Sequence, residues 1–163
     1  MTPAPDIRIV PATERDTPVI LSLIKGLAEY ERLADEVEAT EDDIRESLFG
    51  EWPGAEVVLA YVGAELAGFA LFFHNYSTFL GRRGLYLEDL FVLPAYRSRG
   101  VGRRLLSHLA RIAIERKCGR MEWWVLDWNE SAIRFYRSIG AVPMDEWTVY
   151  RLGGDALGRL ADL

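Results

Sequence analysis

Cysteine is nearly absent from this 163-residue chain, as are histidine and any excess of positive charge. Cys118 stands alone, which excludes an intramolecular disulfide and a cysteine-built metal cluster. It follows the helical run "LSHLARIAIERK", where nothing looks like a base for the thiol, so it reads as a half-buried structural residue. His74 and His108 are the two histidines, and no HExxH-type spacing exists, so no metal is expected. The 19 Lys and Arg against 25 Asp and Glu leave a net charge of −6, which argues against duplex nucleic acid as the main partner. No apolar run approaches the ~20 residues that cross a bilayer. The opening "MTPAPDIRIVPATERD" lacks the charged-then-apolar pattern of a leader. A cytoplasmic protein with neither membrane nor nucleic-acid partners is expected. Repeats, low-complexity tracts and linkers are missing too, so residues 1–163 read as one domain.

What is present alternates between two hydrophobic periods. "IRIVPA" (7–12) reads as a strand. Thr13 is placed to cap a helix carrying Val19, Ile20, Leu23, Ile24 and Leu27 on one face. "TEDDIRESLFG" reads as a second helix, with Thr40 as N-cap, Asp43 closing a capping box and Gly50 as stop. "AEVVLAYVGAELAGFALFFHNY" is a hairpin around Gly63-Ala64. "GLYLEDLFVL" (84–93) is the next strand, ended by Pro94. A helix from 101 to 118 follows, with Val101, Leu105, Leu109, Ile112 and Ala113 inward. "RMEWWVLDW" (120–128) reads as a strand. Asn129 caps "ESAIRFYRSI", which stops at Gly140, and "TVYRLG" reads as a last strand. The order β-α-α-β-β-β-α-β-α-β makes a mixed sheet with helices on its faces, with a right-handed crossover over 84–127.

Against the acidic background, "YRSRGVGRRLL" (96–106) concentrates four arginines and two glycines between a strand's end and a helix's start. First-turn N–H groups have no partner inside a helix, and the helix dipole adds partial positive charge there. Gly100 and Gly102 allow a ligand close to the backbone. Arg97, Arg99, Arg103 and Arg104 add donors. Arginine at this end opposes the dipole by ~0.3–1 kcal/mol each, so a bound anion is needed to compensate. A phosphate site is the reading. Neither GxxxxGK[ST] nor GxGxxG is present.

The pattern that is present, R-x-x-G-x-G, resembles the acyl-coenzyme A pyrophosphate loop of the GCN5-related N-acetyltransferase (GNAT) superfamily. "LYLEDLFVLPAYRSRGVGRRLL" with "VLDWNESAIRFYRSIGA" is similar to the diamine and thialysine acetyltransferase branch. "IRIVPAT" and "LIKGLAEYE" extend the likeness over most of the chain. The resemblance implies a GNAT-type α/β fold: a mixed, mostly antiparallel twisted sheet with splayed parallel strands, flanked by helices. It implies acetyl-CoA in the splay. Backbone at Leu90, Phe91 and Val92 would pair with the pantetheine arm and offer an oxyanion donor. Residues 97–104, with Arg97, Arg99, Gly100, Val101, Gly102, Arg103 and Arg104, would hold the pyrophosphate. Asn129 would reach the pantetheine from the other side, and Tyr136 would protonate the departing thiolate.

The acceptor must lose a proton first, because an alkylammonium of pKa ~10.4 is about one part in a thousand neutral at pH 7. By the resemblance, Glu88 takes that proton through water and Asp89 helps bind the cation. As neighbours on a regular strand, the two would point to opposite faces. Glu29 and Tyr30 in "LAEYE" resemble acceptor-pocket residues. "YSTFLGRRGLYLED" (76–89) has Ser77, Thr78 and Phe79 where polyamine enzymes carry aspartate and tryptophan, so a thialysine- or lysine-like primary amine is expected. The acetyl group would pass directly within a ternary complex. The likeness further implies a homodimer through "VPMDEWTVYRL". A protein or peptide acetyltransferase, or a non-catalytic acyl-CoA sensor, are the alternatives.

Overall fold

The computed structural model describes residues 6–163. The first five residues, part of the stretch read for a leader, lie outside the described residues. Two compact units result, one running to Trp124 and one from Val125 to Leu163.

The first unit is a five-stranded sheet in sequence order: β1 (Ile7–Pro11), β2 (Glu56–Val62), β3 (Glu65–Ser77), β4 (Arg82–Val92) and β5 (Met121–Trp123). Successive pairs from β1 to β4 are antiparallel, and β4 with β5 is parallel. A two-residue turn joins β2 to β3, with Gly63 at φ +60° in the left-handed region such hairpins require. The parallel step needs a crossover, which α3 (Val101–Glu115) supplies.

The helices α1 (Thr17–Tyr30) and α2 (Glu41–Phe49) cover one face. Ile20, Leu23, Ile44 and Leu48 pack there with Leu59, Phe69 and Phe91 of the sheet. The α3 helix buries Val101, Leu105, Leu109 and Ala113, each one turn on from the last. It lies on the opposite face. Phe91 approaches Gly26 of α1, whereas its neighbours Leu90 and Val92 approach Gly102 of α3. Ile112 is half-buried rather than buried.

Gly68 of β3 ties this packing to β4. A methyl group there would meet the Phe91 carbonyl oxygen and come 3.1 Å from Val92 Cα. Backbone, not a flexible side chain, would have to yield. Gly68→Ala is therefore expected to destabilise the protein by ~1–3 kcal/mol, read by urea unfolding.

Several elements differ from their sequence reading. Thr13 caps a 3-10 turn (Glu14–Asp16) that leads into α1, because its N–H and hydroxyl both bond to Asp16 Oδ2 at 2.7 and 3.1 Å. The Thr40–Asp43 capping box of α2 forms as expected, with the Thr40 N–H donating at 2.8 Å. The α3 helix ends at Glu115 and not at 118, since Lys117 enters the left-handed region at φ +57°. The strand expected over 120–128 contracts to Met121–Trp123, paired with Leu85–Leu87. Beyond Leu87 a bulge in β4 shifts its outward hydrogen-bonding groups by one residue, so a parallel ladder cannot continue.

In the second unit, α4 (Glu130–Ser138) starts where Asn129 Oδ1 accepts from the Ala132 N–H at 3.3 Å. The strand expected at 148–153 is absent. No strand exists in this unit among its described residues, and an extended segment without a ladder partner is not a strand. Instead α5 (Gly154–Ala161) ends the chain, and Met144, Trp147, Val149 and Tyr150 are exposed before it.

Candidate active site

The bulge in β4 is where the site begins. Leu87 pairs with Phe72 and Asp89 with Leu71, which leaves Glu88 as the extra residue. A bulge breaks the alternation of side chains and re-aims them. The strand around Glu88 and Asp89 is therefore not the regular one that alternation assumes. Glu88 is exposed and Asp89 half-buried. Burial first, then the negative charges of Glu88 and Glu31, push the Asp89 carboxyl up to about 6. Glu31 is itself raised, by burial and then by Glu88.

Three carboxyl groups thus feel one another's charge, and Glu31 belongs to the acidic N-terminal region rather than to the expected site residues. It lies directly after α1, where its N–H donates to Leu27 at 2.9 Å. The signal was present in "LAEYE", but the reading stopped at Glu29 and Tyr30, one residue short. Tyr86 is a further neighbour. Its phenol is pushed up to about 12 by burial, then by Glu88 and Glu122, so it stays protonated beside them.

Past the bulge, β4 presents a free backbone edge. The Leu93 N–H donates to the Ala67 carbonyl at 2.8 Å, which fixes the parity of the β3 ladder. By alternation, the peptide groups of Phe91 turn to β3 and those of Leu90 and Val92 turn away from it. The Val92 carbonyl accepts instead from Arg97 Nε at 3.0 Å. Arg97 does not extend into the loop. Its guanidinium lies 4.8 Å from the Tyr30 ring centroid and 5.5 Å from that of Phe91. These cation–π contacts wall a cavity of about 750 Å³ with Leu21, Lys25, Glu29 and Tyr30 of α1. Glu29, Tyr30, Phe91 and Arg97 are brought together there. Glu88 and Asp89 do not line it.

The loop itself turns sharply. Ser98 (φ +60°) and Gly100 (φ +85°) are both left-handed, and Gly100 is the N-cap of α3. Successive turns of this kind aim backbone N–H groups inward as an anion-binding concavity. A Cβ at Gly102 would touch only Val92 and Leu90 side chains, at an ordinary 3.8–3.9 Å. The protein's own packing does not demand glycine there. Arg99 stacks over Tyr96 at 5.5 Å, and Val101 is buried. Arg103 is exposed at the start of α3. Arg104 lines a different, smaller cavity against β1.

Asn129 and Tyr136 belong to the second unit, at the cap and in the body of α4. They are seven residues apart, close to two helical turns, so they project to similar sides. Tyr136 is half-buried, with its ring 5.8 Å from that of Phe135. Among the described residues, no group of His, Cys, Asp or Glu has the arrangement to hold a metal ion, and no helix is long and apolar enough to cross a membrane.

Comparison with known proteins converges on one family. Residues 24–141 match the model of the acetyltransferase (GNAT) family. The chain is 36% identical to the thialysine N-epsilon-acetyltransferase of Bos taurus, over 95% of this chain and 97% of that one. It is 33% identical to the L-ornithine N5-acetyltransferase of Arabidopsis thaliana, covering 96% and 88%. Among solved structures, an integron cassette protein from the mobile metagenome of V. cholerae superposes with a TM-score of 0.81 at 30% identity, covering 96% and 98%.

Proposed function

Because the chain belongs to the acetyltransferase (GNAT) family and is an acetyl-transferring enzyme, we propose that it acetylates the primary amine of a small cationic amino acid of the thialysine, lysine or ornithine type. The single observation that carries the acceptor reading is the convergence of Glu31, Glu88 and Asp89 at the β4 bulge. Burying Glu31 and Asp89 beside the charge of Glu88 is costly without a cation. An ammonium substrate relieves that cost. The relatives named for thialysine and ornithine support the same class. The family match, residues 24–141, reaches into the second unit, which supports reading the chain as a single acetyltransferase domain.

GNAT-fold acetyltransferases use acetyl-CoA, which supplies an acetyl group activated as a thioester. The residues present fit it. The outward peptide groups of Leu90 and the N–H of Val92 can pair with an amide-bearing arm, and an N–H beside Phe91 can stabilise developing negative charge on an acyl oxygen. Within residues 97–104 the N–H groups at the start of α3 and the Arg99 and Arg103 side chains hold the diphosphate, while Arg97 is engaged by Tyr30, Phe91 and the Val92 carbonyl and Arg104 lines the cavity against β1. Asn129 contributes a second contact to the arm. Glu88 accepts the amine's proton through water, and Tyr136 delivers a proton to the departing sulfur. Glu29 and Tyr30 line the acceptor's cavity, and Asp89, outside that lining, adds negative charge beside Glu88. No metal has a role in this reading, and cytoplasmic residence goes with it.

The test is thiol release from acetyl-CoA with thialysine, lysine, ornithine, putrescine, spermidine and a peptide N-terminus. Turnover selective for the amino acids supports the reading. A higher kcat/KM for spermidine overturns the substrate class, and turnover of the peptide alone moves the protein to a different one.

Gly102→Ala probes the cofactor loop. Internal packing has room for the methyl group, and alanine favours the helix, so the melting temperature should hold or rise. The KM for acetyl-CoA should rise about tenfold or more if a ligand approaches there, since a Cβ displaces it from the backbone N–H groups. The exposed apolar residues between 142 and 152 support a homodimer. A monomer mass by light scattering at micromolar concentration would remove that claim.

A further inference from the structure

On the face of α3 turned to β1 lies a cavity that acetyl transfer leaves unused. Arg104, His108 and Arg111 line it from successive turns of the helix, Arg8 joins from β1, and Asp6 is its one acid. Its volume is about 300 Å³. The chain carries 25 acidic residues against 19 Lys and Arg. Yet among the described residues no carboxylate lies within ion-pair distance of Arg8, Arg104 or Arg111. The cations are held rather than loose. Arg8 stacks over the Tyr61 ring at 5.2 Å, and Arg111 Nη2 donates to Ser107 Oγ at 3.4 Å. His108 is lowered by burial first and then by Arg111 and Arg104, with Glu115 partly opposing them.

We propose that this groove binds a small phosphate-bearing anion. A guanidinium fork matches both carboxylate and phosphate. Three of them around one small cavity call for more charge than a carboxylate brings, and a phosphate monoester carries close to two negative charges at neutral pH. Arg104 and Arg111 stand ~10 Å apart along the helix axis, so a ligand with two phosphoryl groups reaches both. The site is not the open edge of β4. The β1 strand is the opposite edge of the sheet, three strand spacings or ~14 Å from β4. Two sources offer this chemistry: a free phosphorylated metabolite, or the phosphorylated adenosine end of CoA reaching along α3 from its N-terminus.

Inorganic pyrophosphate is the probe, titrated calorimetrically into wild type and into the Arg8→Gln/Arg111→Gln double variant, each with and without saturating CoA. Arg111→Gln alone, an exposed change, serves if the double variant fails to fold. Wild type should bind, the variant about tenfold more weakly or worse, and acetyl transfer to the amine should persist. Binding that survives saturating CoA assigns the groove to a free ligand. Binding lost to CoA, with the variant erasing a preference for CoA over dephospho-CoA, assigns it to the cosubstrate. Equal affinity in wild type and variant, or no heat at millimolar pyrophosphate, overturns the proposal.

Discussion

Glu88→Gln is expected to lower kcat/KM for the amine by about 10²–10⁴ while leaving the affinity for acetyl-CoA unchanged. The side chain is exposed at the bulge, where water can bridge it to an incoming ammonium, and glutamine keeps its size but cannot take a proton. The pH profile separates this role from a packing role. Asp89 is held up to about 6 by burial first and then by the charges on Glu88 and Glu31. Turnover should fall as pH drops through about 6, because a protonated Asp89 no longer attracts the cation. In Glu88→Gln that negative neighbour is gone, the Asp89 pKa falls, and the acid limb of the remaining activity should move to lower pH. An unchanged limb with unchanged turnover would remove Glu88 from the reaction.

The same cluster makes a prediction of opposite sign for stability. The Asp89 carboxyl is raised from 3.8 to about 6 in the folded protein. Between those values the folded state holds a proton that the unfolded state has lost. Stability from this group is fully present below pH 3.8 and declines as pH rises through about 6. Asp89→Asn should therefore raise the KM for the amine and, at pH 7, stabilise the protein by an amount on the order of 1–3 kcal/mol. Denaturant unfolding at pH 4 and pH 7 reads this directly, and the variant should lack the decline. Activity and stability pull against each other at this residue, as they do where a site holds charge for a substrate that is not yet there.

Much of this was legible in the chain because the signals were local. The Thr40–Asp43 box, the Gly63 turn and the spacing of Val101, Leu105 and Leu109 each depend on residues within a few positions of one another. What escaped was set by pairing between distant segments. The bulge at Glu88 exists only in the register of β4 against β3, and it shortens β5 thirty residues later. "TVYRLG" has strand composition but no ladder partner among the described residues of its unit. Arg97 carries the loop motif, yet Tyr30, Phe91 and the Val92 carbonyl claim its side chain. Nothing in "YRSRGVG" announces that contact, since all three partners come from two other elements, α1 and β4. Glu31 was hidden in the same way, its importance lying in its nearness to Glu88 and Asp89.

Tyr136→Phe should lower turnover by about 10²–10⁴ and leave the dissociation constant for acetyl-CoA nearly unchanged. The reasoning starts from the leaving group. A thiol has a pKa of ~8.5 and a phenol ~10, so a positioned phenol can give its proton to sulfur as the bond to the acyl carbon breaks. The chain offers Tyr136 on α4, half-buried beside Phe135, on the side of the helix that its cap Asn129 shares. Phenylalanine preserves the ring and its packing and removes only the hydroxyl, so a loss of stability would be small. A structural tyrosine and an acid differ in one further respect. If Tyr136 protonates the departing sulfur, an acetyl thioester of a more acidic thiol needs that proton less, and the variant's deficit should shrink toward the wild-type rate. A deficit equal for both thioesters would assign Tyr136 to packing, and an unchanged rate with acetyl-CoA would pass the proton to another donor, with water as the first to test.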